Sequence, residues 1–204
     1  MTPSLAAQAY LLAGDPDKGR IRRRGRAALL VRAAAVTDLL LRGRLTVAGG
    51  RVSATGRGPT GDLLLDDLLA DLADEGPTRW RRLLRRDSAD TLRSLELQLA
   101  AAGILRPHVT PVLRRKVLHL ADRSPAVDAR ATVDRALRAP LSEVDTRAAV
   151  LTALAAAAEV GFTRRSSRRH AERLAELDGV AGSAAAELRG LLRARRAAIM
   201  AGGS

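Results

Sequence analysis

Apolar residues recur three and four positions apart along nearly the whole chain, and glycines and prolines interrupt them at short intervals, a pattern that predicts a mainly α fold. Two short stretches of alternation add two β-hairpins, one around Gly49 and Gly50 and a longer one from Ile104 to Leu120. With 204 residues the chain is long enough to bury roughly two-thirds of its unfolded surface, so a single helical domain over 1–204 is expected. That domain is read as about eight to ten amphipathic helices around an Ala/Leu-rich central helix.

The first helix runs from about Pro3 to Ala13, followed by a turn over Gly14 to Gly19. A basic segment leads into a helix whose Leu29, Ala33, Val36 and Leu40 share one face and which ends at Gly43, suited to a left-handed cap. The first hairpin pairs Arg44 to Val47 with Arg51 to Ala54. Thr60 is expected to cap a helix that turns Leu64, Leu65, Leu68, Leu69 and Leu72 inward and Asp66, Asp67, Asp71 and Asp74 outward. A short basic helix surrounds Trp80, and Asp87 or Ser88 caps the next, which buries Leu92, Leu95 and Leu99 and stops at Gly103.

Beyond the long hairpin, Ser124 and Pro125 open a helix to about Arg138. Ser142 with Asp145 resembles a capping box and opens a helix to Val160, whose Ala148 to Ala158 run is apolar on nearly every side and is expected to be the central buried helix. Two further helices, Ser166 to Leu177 and Ser183 to Met200, complete the fold, with 202–204 frayed.

Composition narrows the function. The formal net charge is +13, which sets up a positive field suited to nucleic acid or an anionic membrane leaflet. Codon bias explains the preference for arginine over lysine, but not the excess of base over acid. The absence of cysteine excludes disulfides, thiolate metal sites and thiol catalysis, and suits a cytoplasmic setting. The apolar start of the chain carries no basic lead-in of the signal-peptide kind, and the longest uncharged run, Ala148 to Ala158, is shorter than the roughly 20 residues a membrane span needs. A membrane role is therefore a peripheral one, on the inner face.

His108, His119 and His170 lie far apart in no metal-ligand spacing, and the glycines at 56, 58 and 61 lack the lysine and strand-to-helix context of a phosphate loop. No enzyme, cofactor or metal is expected. The basic clusters are more informative. Lys18 to Arg32 holds Lys18, Arg20, Arg22, Arg23, Arg24, Arg26 and Arg32 with no acid among them. At about 1 kcal/mol per basic group near an anionic leaflet, seven suffice to localise a protein there if they share a face. Arg79, Arg81, Arg82, Arg85 and Arg86 surround Trp80, which either anchors at an interface or, the favoured reading, fills the core.

Four motifs stand in order along the chain: Asp38-Leu39-Leu40-Leu41-Arg42-Gly43-Arg44-Leu45 where a helix passes into a hairpin, Pro59-Thr60-Gly61-Asp62 followed by Leu63-Leu64-Leu65-Asp66 at a helix start, Trp80 before a short helix, and Gly103-Ile104-Leu105 where a helix runs into the long hairpin. The Ala-rich helix from Asp145 to Gly161 follows them. In this order they resemble the Golgi phosphoprotein 3 family of peripheral membrane proteins, which has bacterial relatives and a similar helix-to-hairpin segment, Pro-Thr-Gly-Asp helix start and Ala-rich core helix. The resemblance implies a helical fold with a projecting hairpin, no catalysis, a basic pocket for a phosphatidylinositol 4-phosphate headgroup, and self-association through the 104–120 hairpin. Carried onto this chain, the pocket arginine falls on Arg32, and the pocket tryptophan on Arg23, or on Arg24 with a one-residue shift, so the aromatic wall is replaced. The two arginines of a later helix fall on Ala89 and Leu92, with Arg93 the nearest cation. The expected headgroup ligands are thus Arg23, Arg24, Arg32 and Arg93, with Arg20, Arg22 and Arg26 facing the membrane. On this basis Arg32→Ala is expected to weaken liposome binding with thermal stability unchanged.

The rival is a winged-helix-like nucleic-acid module, since a helix ending at Gly103 and a hairpin from Ile104 imitate that motif. Its recognition helix, Ser88 to Ala102, offers Arg93 as its only base. An adaptor that holds protein tails on its basic face is compatible with either.

Overall fold

In the computed structural model, residues 3–15, 20, 21, 23–109 and 116–201 are described. Helix α1 spans Leu5–Ala13, with the Ser4 hydroxyl accepting from the Ala7 N–H at its start. Helix α2, Arg24–Leu41, is the spine of the molecule: Ala27 to Leu39 is buried without interruption, and α2 packs against α1. Its alanines at 27, 28, 33, 34 and 35 keep the helix slim enough for neighbours to approach from every side. The expected one-faced helix is therefore buried all round, and it shares the centre with the Ala-rich helix α7, Thr146–Ala158. At its far end Gly43, at φ 67°, lets the Arg44 N–H reach back to the Leu39 carbonyl.

Strands β1, Leu45–Ala48, and β2, Arg51–Ala54, pair antiparallel in the expected register, with Gly49 and Gly50 at φ 55° and 70° as a two-residue turn allows. A third strand, β3 (Thr78–Arg79), adds to β2, Val52 opposite Thr78, and carries the chain into helix α4, Trp80–Arg85. Two residues are too short a run for alternation to announce.

Helix α3, Leu63–Glu75, is capped not by Thr60 but by Asp62, whose carboxylate accepts from the Leu64 and Leu65 N–H groups. An ionised side chain is the stronger acceptor at the positive end of the helix dipole. Leu64, Leu65, Leu68, Leu69 and Leu72 turn inward as expected, while Asp66 is half-buried and accepts from the Thr60 N–H at 2.6 Å. Helix α5, Ser88–Ala101, follows Asp87, and the long hairpin pairs β4 (Leu105–Val109) with β5 (Lys116–Leu120). Residues 110–115, between the two strands in sequence, lie outside the described residues, as do 16–19 of the expected turn, with Lys18, and Arg22 and 202–204.

Helix α6 covers Ser124–Arg138 with proline in its first turn, as expected. Ser142 sits instead in a 3-10 turn, Leu141–Glu143, and Asp145 caps α7 through the Arg147 and Ala148 N–H groups. The two expected final helices are three: α8 (Arg164–Arg169) capped by Thr163, α9 (Ala171–Ala181) and α10 (Ser183–Ala201). Trp80 is buried at 2% exposure, in the core as favoured.

One buried carboxylate organises the helices. Asp38 accepts from the Leu5 N–H at 2.8 Å, from Arg42 Nε at 2.9 Å and from both terminal nitrogens of Arg147. It thus stitches the start of α1 and the start of α7 to the end of α2, giving a structural reason for an acid five residues before Gly43.

Candidate functional site

Three depressions on one side of the molecule join through shared arginines. The first is lined by Arg79, Arg81, Arg82, Arg85 and Arg86 of β3 and α4. The second, about 430 Å³, lies between α2, the junction of α4 and α5, and α10, and is lined by Leu29, Arg85, Ser88, Leu191, Arg195 and neighbouring alanines. The third, about 300 Å³, is bounded by Arg23, Arg24, Gly25 and Arg26 at the start of α2 and by Leu192, Arg195, Arg196, Ile199 and Met200 of α10. Arg85 belongs to the first two and Arg195 to the last two, so the depressions form a continuous basic strip.

Local structure fixes each wall. The short helix α4 is held by the buried Trp80, Leu83 and Leu84, which leaves its arginines on the outer face. Gly25 has no side chain where the Arg195 guanidinium passes, 3.5 Å from where a Cβ would sit. Leu192, Arg195, Arg196 and Ile199 follow the i, i+3, i+4, i+7 spacing of one helix face.

Not all of these cations are available. Arg81 pairs with Glu187 at 3.4 Å, Arg82 with Glu75 at 3.1 Å, and Arg86 with Glu75 and Asp87. Arg26 and Arg196 both bind the carboxylate of Glu159, the left-handed residue that caps α7. Arg23, Arg79, Arg85 and Arg195 form no ion pair among the described residues. The start of α2 also lacks a capping side chain and has no acid in its first turn. Arginines at the positive end of a helix dipole each cost a few tenths to about 1 kcal/mol, an expense that a bound anion offsets.

The residues expected from the sequence are dispersed. Arg23 faces the third depression and Arg20 is half-buried near His119. Arg24 also borders that depression, but both its terminal nitrogens bind Glu96, each at 2.7 Å, and this hydrogen bonding raises its pKa. Arg32 is 5% exposed; its Nε donates to the Leu83 carbonyl at 3.2 Å and its Nη1 to the Thr91 hydroxyl at 2.9 Å. Burial lowers its pKa, opposed by Asp87 and Asp71. It thus braces the α4–α5 junction behind the second depression, one turn along α2 from Leu29, rather than opening into it. Arg93 lies on the outer face of α5, paired with Asp90 at 3.1 Å. No aromatic residue lines the strip among the described residues.

Sequence reasoning grouped Arg85 with its neighbours but missed Arg195 and Arg196, although their spacing continues the stripe of Leu188, Leu191 and Leu192. It also missed Glu96, an acid on the buried face of α5 between Leu92 and Leu99, which accepts from the Tyr10 hydroxyl at 3.2 Å as well as from Arg24. His108 and His119, remote in sequence, meet across the long hairpin with ring centroids 4.9 Å apart. Burial, His108 and Arg20 lower the pKa of His119. Among the described residues no group of three potential metal ligands assembles.

A larger cleft of about 770 Å³ lies between α1, α6 and the end of α7. Its Arg130 already binds the Gly14 carbonyl, and its Glu159 is held by Arg26 and Arg196. No helix among the described residues is long and apolar enough to cross a membrane.

A search among curated proteins finds no match. The family model for Golgi phosphoprotein 3 (GPP34) matches residues 5–195, from the first residue of α1 into the last two turns of α10. The match takes in the Asp38 stitch, both hairpins and nearly all of the basic strip, and the chain belongs to the Golgi phosphoprotein 3 family.

Proposed function

We propose that this protein is a peripheral membrane protein, without catalytic activity, that docks on anionic phospholipid headgroups through the strip joining α4, α10 and the start of α2. The observation that carries the proposal is the position of Arg85 and Arg195, free of ion pairs and facing one depression over an apolar floor of Leu29 and Leu191. Guanidinium groups there form charge-assisted, bidentate bonds to a phosphate monoester, and Arg23 and Arg79 extend the attraction along the leaflet. With no ring to stack on the inositol, recognition rests on charge, so phosphatidylinositol 4-phosphate is bound as one acidic lipid among several. The family match supports a membrane role. Helix α5 buries Leu92, Leu95 and Leu99 and offers one cation, already paired, which favours a bilayer over nucleic acid.

Flotation with vesicles of phosphatidylcholine, alone or with an acidic phospholipid, tests the proposal. The parent floats only with acidic vesicles and is released by salt. Replacing both arginines, Arg85→Ala with Arg195→Ala, removes about 2 kcal/mol of attraction, a loss of tenfold or more, with the thermal midpoint unchanged. Equal flotation of parent and variant, or tighter binding to duplex DNA in a gel-shift titration, overturns it.

A further inference from the structure

We propose that the distal end of α10 is a membrane-insertion element, in which Ile199 and Met200 enter the hydrocarbon boundary of an anionic bilayer while Arg195 holds a phosphate above them. The proposal rests on the docking function above and adds an apolar contact to it.

Helix α10 changes character along its length. Ala184, Ala185, Leu188 and Leu191 are buried, and the helix packs on α2, α4, α7 and α9. From Arg193 to Ala201 every residue is exposed. Ile199 and Met200, at 68% and 75% exposure, are among the most exposed large apolar side chains of the described residues. They line the same depression as Arg23, Arg24, Arg26, Arg195 and Arg196, and no acidic residue follows Glu187 in the sequence. Leu63 is as exposed, at 73%, but stands among Asp62, Asp66 and Asp67, the wrong charge for an acidic leaflet.

Apolar tips beside an arginine free of ion pairs on a helix end are the composition of an interfacial segment, with the long arginine stem lying along the acyl boundary and its head at phosphate level. Charge also selects the occupant. A second copy seated on this end would set Arg195 against its own counterpart, whereas an acidic leaflet neutralises it.

The chain contains no cysteine, so Met200→Cys gives one labelling site for an environment-sensitive fluorophore in the full-length protein. On vesicles containing acidic phospholipid the emission shifts to the blue and is quenched by an acyl-chain quencher, while the same label at Val127→Cys, exposed on α6, does neither. Ile199→Ser with Met200→Ser weakens vesicle binding by roughly tenfold with an unchanged circular dichroism spectrum, since neither side chain is in the core. A label that stays solvent-like on vesicles that carry the protein overturns insertion and leaves headgroup docking standing. A parent that fails to bind acidic vesicles removes both. A blue shift that grows with protein concentration without vesicles assigns the patch to a second copy and overturns the proposal.

Discussion

Arg147 closes on Asp38 with both terminal nitrogens, Nη1 to Oδ1 at 2.8 Å and Nη2 to Oδ2 at 3.1 Å, tying α7 to α2 beneath the first turn of α1. The Asp38 side chain is fully buried, so removing it leaves Arg147 and the Leu5 N–H without their acceptor. Asp38→Ala is expected to cost about 3–5 kcal/mol in chemical denaturation, against about 0–1 kcal/mol for Asp74→Ala, which breaks the exposed Arg57 pair. Burial pushes the Asp38 carboxyl up, but the hydrogen bonds from Arg147, Leu5 and Arg42 outweigh it and hold the group below its ordinary 3.8. Its folded pKa being depressed, its stabilisation is whole above that ordinary value and drains away as the pH falls from there through the folded one. The parent therefore loses midpoint steeply below about pH 4 and the variant does so less; parallel acid branches would contradict the assignment.

Tyr10 predicts the opposite branch. Burial raises its pKa well above the ordinary 10.0, Glu96 adds to the shift, and Arg24 opposes it. A raised folded pKa means that the phenol's contribution is complete below the ordinary value and is lost as the pH rises beyond it. Tyr10 is the only tyrosine, so phenolate absorbance reports this group alone. The phenolate is expected to appear together with unfolding, and Tyr10→Phe to unfold at a higher alkaline pH than the parent. Reversible ionisation near pH 10 with an intact circular dichroism spectrum would show that the hydroxyl is not held by Glu96.

Elements whose stop signals are local were legible in the sequence. The Ser124–Arg138 helix, the Gly49-Gly50 hairpin and the inward leucines of α3 follow from spacing, a proline and two glycines. What escaped depends on partners remote in the chain. Strand β3 exists only because β2 offers it an edge, and Asp62 displaced Thr60 as the cap because the better acceptor wins once the turn is formed. The site divides in the same way. A run of arginines announces a cationic region, but which of them face water is set by Glu96, Glu159 and the α4–α5 junction, at separations of 51 to 133 residues.

Arg32 shows the consequence. Its sequence position suggests a headgroup ligand whose loss leaves stability untouched, yet it is buried and donates to Leu83 and Thr91. Arg32→Ala is now expected to lower stability by about 1–3 kcal/mol, the range for leaving buried polar partners unmet, with vesicle binding reduced only as far as the second depression deforms. Arg32→Met keeps much of the volume without the donors and separates packing from hydrogen bonding. An unchanged thermal midpoint with vesicle binding lost in both variants would return Arg32 to the ligand set.

Glu159 predicts a gain of binding. It holds Arg26 and Arg196, two of the cations bordering the third depression, and its backbone sits at φ 54° and ψ 40°, a left-handed conformation that glycine adopts more easily. Glu159→Gly loses two partly exposed ion pairs, worth about 0–1 kcal/mol each, and relieves backbone strain of about 1 kcal/mol, so stability changes little. Both guanidinium groups are then free for lipid phosphate. Each adds about 1 kcal/mol at an acidic leaflet, so vesicle affinity rises by roughly an order of magnitude, most at low salt. Glu159→Gln separates the two effects: it keeps the strained backbone, removes the charge, and is expected to bind vesicles as Glu159→Gly does while melting lower. Binding at parental strength in both variants would mean that Arg26 and Arg196 do not face the lipid.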